Sequence, residues 1–228
     1  MASDSFQAFF ANVPLLHSWD NGQTWNRGGF LPKTLRALKE VIEPSLEPGV
    51  SFAAETGAGN SSILFLLMKP RALYSIAPEA ALRDRILAYC TQNNIDSAPL
   101  HYEVARSEVF LPKLAEQFQA EKKKLDVALI DGGHGWPTVF IDFCYFNSIL
   151  KKGGLLVVDD LQLYSINEFA RWLSMQPEYS LVKDLEKTLV FRKEVAAEYF
   201  PDFGSQPYIK QRNAIMKESA NPYSLKQD

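Results

Sequence analysis

The sequence predicts an α/β fold: a doubly wound, mostly parallel seven-stranded sheet with helices on both faces. Three observations carry that prediction. Short apolar runs that read as buried strands alternate with helical patterns of about 10–15 residues. A glycine-rich loop, Thr56-Gly57-Ala58-Gly59-Asn60, follows the first strand at once, and aspartates stand at the ends of two later strands, Asp131 and Asp159-Asp160. Such alternation builds βαβ units with right-handed crossovers. Carboxylates at strand ends in a sheet of this kind face the crevice where ligands bind.

Residues 1–30 are aromatic and read as irregular, with Phe6, Phe9, Phe10, Trp19, Trp25 and Phe30 set among Asn, Gly and Asp. Pro32 opens a helical pattern at Leu35, Leu38, Val41 and Ile42, which Pro44 and Pro48-Gly49 end. Residues 50–55 form the first strand, and helical spacing resumes over 61–68 beyond the glycine loop. Strands at 72–76 and 101–104 alternate with helices at 80–93 and 109–122. The strand at 127–130 leads to Asp131. A helix over 138–150, stopped by Lys151-Lys152-Gly153-Gly154, leads to the strand at 155–158 and Asp159-Asp160. After a helix at 165–174, the runs 179–182 and 188–192 read as an antiparallel pair closing one sheet edge. Residues 194–228 are polar and carry Pro201, Pro207 and Pro222, so they read as an extension or partner-contacting tail. The organisation is one domain overall. It comprises an N-terminal aromatic cover and helix (1–49), a core (50–193) and a C-terminal extension (194–228).

A chain of 228 residues is near the upper size for one core, which removes roughly 70–75% of the unfolded surface from water. A formal charge of −3 gives no strong field of either sign, so nucleic acid is not expected as a principal partner. The run Glu121-Lys122-Lys123-Lys124 reads as a solvated helix end. Cys90 and Cys144 stand far apart in apolar segments, which predicts buried free thiols and a reducing compartment. The N-terminus lacks the basic-then-apolar pattern of a signal peptide, and the apolar run 63–68 is too short to span a bilayer. The expected setting is cytoplasmic, without a membrane.

Glycines in a strand-to-helix loop let a ligand approach backbone amides closely. The loop lacks the third glycine of a dinucleotide fingerprint and any Gly-Lys-Ser/Thr, which disfavours NAD and P-loop nucleotides. Acidic-Gly-x-Gly at Glu55, Gly57 and Gly59, Asp-Gly-x-His at Asp131 to His134, and Asp159-Asp160 occur in that order. Over roughly residues 50–192 the chain thereby resembles the class I S-adenosylmethionine-dependent methyltransferases, which are Rossmann-like. Within them it is most similar to the small-molecule O-methyltransferases. The resemblance implies that Glu55, Gly57 and Gly59 lie against the methionyl end and ribose of S-adenosylmethionine. It implies further that Ser61 holds the donor's carboxylate and that Ser107-Glu108 border the adenine.

The cation-dependent branch, typified by catechol O-methyltransferase, holds Mg²⁺ on carboxylates at the positions of Asp131, Asp159 and Asp160. A hard divalent ion takes oxygen ligands and keeps waters that acceptor oxygens can replace. His134 matches the position of that branch's catalytic lysine. An imidazole with an ordinary pKa of about 6.5 can remove a hydroxyl proton near neutrality. Asp131 is placed in three roles: catalytic, donor-binding and metal-binding. His17 and His101 have no comparable context and read as structural.

Two features depart from the family pattern. Ser75-Ile76-Ala77-Pro78 has no ribose-binding acid, and Glu79 is the nearest candidate. The segment Val104-Ala105-Arg106-Ser107 lacks the usual Gly-Asp before the serine. Trp19, Trp25, Phe30 and Trp136 are candidate walls of the acceptor pocket, and Gly22, Gly28 and Gly29 candidate hinges of a lid. The expected function is methyl transfer to an oxygen of a small molecule, with Mg²⁺ as an optional assistant. Beside it stand a metal-independent methyltransferase and a noncatalytic scaffold with weakened cofactor binding. Homo-oligomers would form through the N- or C-terminal extensions.

Overall fold

The computed structural model describes residues 2–18, 23–25 and 29–218. One seven-stranded sheet organises it: β1 (Phe52–Thr56), β2 (Ala72–Ile76), β3 (Leu100–Glu103), β4 (Leu125–Ile130), β5 (Leu150–Val158), β6 (Tyr179–Asp184) and β7 (Leu189–Lys193). The spatial order is β3-β2-β1-β4-β5-β7-β6. The first five strands are parallel, and β7 pairs antiparallel with both β5 and β6. This is the predicted fold class, closing pair included.

The helices are α1 (Ala2–Ala11), α2 (Pro32–Ile42), α3 (Asn60–Leu67), α4 (Ala80–Gln92), α5 (Ser107–Ala120), α6 (Thr138–Ile149), α7 (Tyr164–Ser174) and α8 (Pro207–Glu218). Successive strand side chains point to opposite faces, so each strand feeds two cores. Val127, Leu129, Leu155 and Val157 join α1 to α4 on one face. Ala128, Ile130, Leu156 and Val158 join α5, α6 and α7 on the other. β4 is buried at all six positions, as a central parallel strand requires.

Three expectations are corrected, and the C-terminal residues are then placed. The N-terminal stretch is not irregular throughout, because α1 places Phe6, Phe9 and Phe10 in the core at helical spacing. Lys151 to Gly154 do not end a helix outside the sheet. They belong to β5, tied down by an ion pair between Lys151 and the buried Asp126, whose Oδ2 also accepts the Phe52 amide at 2.8 Å. Cys90 is buried as expected, whereas Cys144 is exposed on α6. The C-terminal extension folds back on the body. Phe200 packs on Phe143 and Trp172, Trp172 Nε1 donates to Gln206 Oε1 at 3.0 Å, and Tyr208 Oη donates to Glu168 Oε2 at 3.0 Å.

Strand order reverses between β1 and β4, and the connections leave β1 and β4 toward opposite faces. That switch point opens a crevice at the carboxyl ends of the parallel strands.

Candidate active site

A cleft of about 650 Å³ fills this crevice. The β1–α3 loop (Thr56, Gly57, Ala58), the end of β2 (Ile76 to Glu79), the start of α5 (Ala105 to Glu108), Asp131 to His134 and Asp160 all line it. His17 and Gly29 reach it from the N-terminal region.

The glycine loop is fixed by its neighbours. Gly57 has φ +81°, its N–H donates to Ile76 O at 3.0 Å, and the Asp131 N–H donates to Thr56 O at 3.0 Å. A Cβ on Gly57 would collide with the Asp131 carbonyl. Gly59 has φ +149°, and a Cβ there would collide with the His17 ring. Both positions therefore require glycine.

Glu55 sits beneath this loop rather than on the cleft wall. It is fully buried, its Oε1 accepts from Ser75 Oγ at 2.6 Å and from Ser62 Oγ, and Ser61 also hydrogen-bonds to it. Ser62 Oγ in turn accepts the Gly59 N–H at 2.9 Å. Glu55 and Ser61 thus shape the loop from below. Burial, only partly offset by these hydroxyls, pushes the Glu55 carboxyl up to about 7. A raised carboxyl means that the fold binds more protons than the unfolded chain between about pH 4.5 and 7. Stability from this group therefore falls as pH rises through that window, by an amount on the order of 3 kcal/mol. Glu55→Gln should remove that share of the slope, measured by urea unfolding at pH 5 and pH 8. Equal slopes in both proteins would place the pH dependence elsewhere.

At the end of β2, Glu79 lines the cleft and accepts from Arg85 Nη2 at 2.5 Å. At the start of α5, Glu108 accepts from Arg106 Nη2 at 2.7 Å and from Thr138 Oγ1 at 3.2 Å. The Arg106 guanidinium is the main reason its carboxyl is held down at about 2. Asp142 of α6, unremarked in the sequence, lies fully buried near Thr56 and Ser107, and burial lifts its carboxyl to about 6.

The acidic strand ends converge as expected, with one exchange of partners. Ligand atoms of Asp131, His134 and Asp160 lie within 4.8 Å of one another. His134 Nε2 is 2.9 Å from Asp160 Oδ2 and 3.9 Å from Asp131 Oδ1. Asp159, expected as a ligand beside them, instead accepts a hydrogen bond from Thr188 through Oδ1 and is buried. Asp160 has φ +65°, an uncommon backbone state outside glycine that Asp tolerates better than most residues, and one that gathers at functional sites. The neighbouring Asp131 and Asp160 carboxylates push the His134 imidazole up to about 10. Burial lifts Asp131 to about 6, and burial together with Asp131 lifts Asp159 to about 7.

His17, read as structural from sequence, is a cleft residue. Its partner Gly59 is distant along the chain, so local sequence gave no signal. His101 stacks on Tyr74 with ring centroids 4.9 Å apart. Of the candidate acceptor walls, Phe30 is core, while Trp25 and Trp136 are exposed. Trp19, Gly22 and Gly28 lie outside the described residues.

The strand order, with the glycine loop after β1 and the acidic ends of β4 and β5 at the switch point, is that of a Rossmann-like doubly wound α/β fold. Residues 54–161 match the family model described as a methyltransferase domain. Solved structures agree on the fold. The O-methyltransferase TomG from Streptomyces achromogenes, solved with SAM, is 14% identical with a TM-score of 0.59, over 85% of this chain and 89% of that one. A caffeoyl-CoA O-methyltransferase candidate from Staphylococcus aureus is 15% identical with a TM-score of 0.58, over 85% and 92%. An rRNA methylase from Streptococcus thermophilus is 12% identical with a TM-score of 0.51, over 70% and 95%, so the fold alone does not choose the acceptor. No curated protein sequence matches the chain. Among the described residues, no helix is long and apolar enough to cross a membrane.

Proposed function

We propose that this chain transfers a methyl group from S-adenosylmethionine to an oxygen of a small molecule, with a divalent cation at Asp131, His134 and Asp160. One observation carries the reading: a single cleft joins the glycine loop to the His–Asp cluster. TomG, solved with SAM, and the caffeoyl-CoA O-methyltransferase candidate share this fold and support the choice of donor and of an oxygen acceptor.

The residues fit both groups. Gly57 and Ala58 line the cleft on the loop that leads into α3, and the amino end of a helix favours an anionic ligand group. Glu79, held by Arg85, stands where β2 ends and takes the place of the missing ribose acid. Ser107 and Glu108 line the cleft at the start of α5 and would border the adenine. When bound, S-adenosylmethionine supplies an electrophilic methyl group. A divalent cation lowers the pKa of a hydroxyl bound to it. Two carboxylates and an imidazole also suit borderline ions such as Mn²⁺, because nitrogen is a poor ligand for Mg²⁺.

Asp131, His134 and Asp160 handle the acceptor proton together. Without the cation the imidazole carries a proton at neutral pH beside the Asp160 carboxylate, so His134 alone is a weak base, and that proton would have to leave before the ring could serve as a ligand. In the metal-free cluster Asp131, lifted to about 6 by burial, is the carboxylate best matched to accept one. Asp160 orients the ring between them.

Turnover is expected to stop in excess chelator and to return with Mn²⁺ or Mg²⁺, read as initial rate of S-adenosylhomocysteine release. Full activity in chelator assigns the cluster to proton handling without a metal. Absence of S-adenosylhomocysteine binding by calorimetry favours the noncatalytic scaffold.

A further inference from the structure

Three wall segments of the cleft meet around one buried side chain. Asp142 of α6 is fully buried, with the hydroxyls of Ser107 and Thr56 beside it. Ser107 opens α5 and Thr56 ends β1, and both line the cleft. The third segment is Asp131 to Gly133. The Asp131 N–H donates to Thr56 O at 3.0 Å, and a Cβ on Gly132 would stand 3.1 Å from Thr56 Oγ1. Thr138 lies one helical turn before Asp142 and so on the same face of α6. Its Oγ1 donates to Glu108 Oε1 at 3.2 Å. That face of α6 therefore meets the start of α5 at two successive points, Glu108 and Ser107.

Neither Asp142 oxygen has a hydrogen-bond partner, and the buried Thr56 Oγ1 has none either. Ser107 Oγ is turned toward Glu108 Oε2, at 3.5 Å. The two hydroxyls favour the charged carboxylate, but burial outweighs them and lifts it to about 6. A buried carboxyl left in this way destabilises the fold, and a leucine of the same branching would not. Polar groups that destabilise a fold gather at functional sites. Asp142 is sealed from the cleft, so whatever it contributes there passes through Thr56 and Ser107.

We propose that Asp142 is a positioning residue that orients Thr56 and Ser107, and so sets the spacing between β1 and α5 where the donor's nucleoside lies. The inference rests on the donor reading above. A carboxylate offers two acceptor oxygens to two hydroxyls, so one side chain can orient both segments. Asparagine can do the same, accepting from one hydroxyl and donating to the other, whereas leucine can orient neither.

The test uses S-adenosylhomocysteine and 5′-deoxy-5′-methylthioadenosine, the same nucleoside thioether without the amino-acid tail. Affinities are measured by calorimetry for the wild type, Asp142→Leu and Asp142→Asn, with the thermal midpoint of each. Asp142→Leu is expected to weaken both ligands about tenfold, the loss of about one hydrogen bond, while its midpoint stays level or rises. Asp142→Asn is expected to rescue both affinities to within about threefold of wild type. A loss confined to S-adenosylhomocysteine would move the effect to the amino-acid end and overturn the proposal. Wild-type affinity in Asp142→Leu, or an Asp142→Asn as weak as Asp142→Leu, would also overturn it. A midpoint that falls in both variants in step with affinity, or an Asp142→Leu that does not fold, would make Asp142 a support of the fold and overturn the positioning role. A wild type that binds neither ligand overturns the donor reading and this inference with it.

Discussion

Gly57→Ala is expected to destabilise the chain strongly and to remove donor binding. Its φ of +81° is left-handed, which costs an L-residue about 1–2 kcal/mol. The new Cβ would also meet the Asp131 carbonyl, and neither partner can step aside. Gly57 is bonded to Ile76 on one flank, and Asp131 is bonded to Thr56 on the other. Forcing a shift there resembles overpacking a core, at about 1–3 kcal/mol. Together these suggest a loss of roughly 2–5 kcal/mol, or about 5–20 °C in midpoint for a domain of this size. Thermal unfolding with and without S-adenosylhomocysteine measures both effects. A variant that melts and binds like wild type would show that the loop has slack.

The second large effect falls on the reacting end. His134→Ala and Asp160→Asn should each lower the methyl-transfer rate by about 10²–10⁴-fold, the usual worth of positioned acid–base groups. Asparagine tolerates the left-handed backbone at position 160, so Asp160→Asn removes charge while keeping shape. It also removes one of the two carboxylates that hold His134 near 10. A raised imidazole pKa stabilises the fold fully below about pH 6.5, and that contribution is lost as pH climbs toward 10. Asp160→Asn should therefore flatten the fall in thermal midpoint between pH 7 and pH 10. Undiminished rates in both variants would sink the assignment of this cluster to the reaction.

The strands were legible because parallel strands buried on both faces must be continuous apolar runs, and the second strand was read to its end residues. The helix α1 was missed because Asn, Gly and Asp later in the segment overshadowed the spacing of Phe6, Phe9 and Phe10. The extent of β5 was hidden because Lys-Lys-Gly-Gly is ordinary stop chemistry, and only its ion pair with Asp126 holds it in the sheet. Asp131, His134 and Asp160 were visible as strand-end residues. Which aspartate of the Asp159-Asp160 pair turns inward was not visible, because it depends on the backbone at Asp160 and on distant Thr188. His17 and Arg85 act through contacts made only once the chain has folded.

The sheet order leaves β3 and β6 as its two margins. β3 is only four residues long. β6 breaks register between Leu181 and Lys183 and ends in exposed Lys183 and Asp184. An incoming strand would find too short a template on one side and a kinked, charged one on the other. Growth by strand addition is therefore obstructed at both ends, and copies of this chain that associate in concentrated solution should do so through helical surfaces, without acquiring extra β-structure.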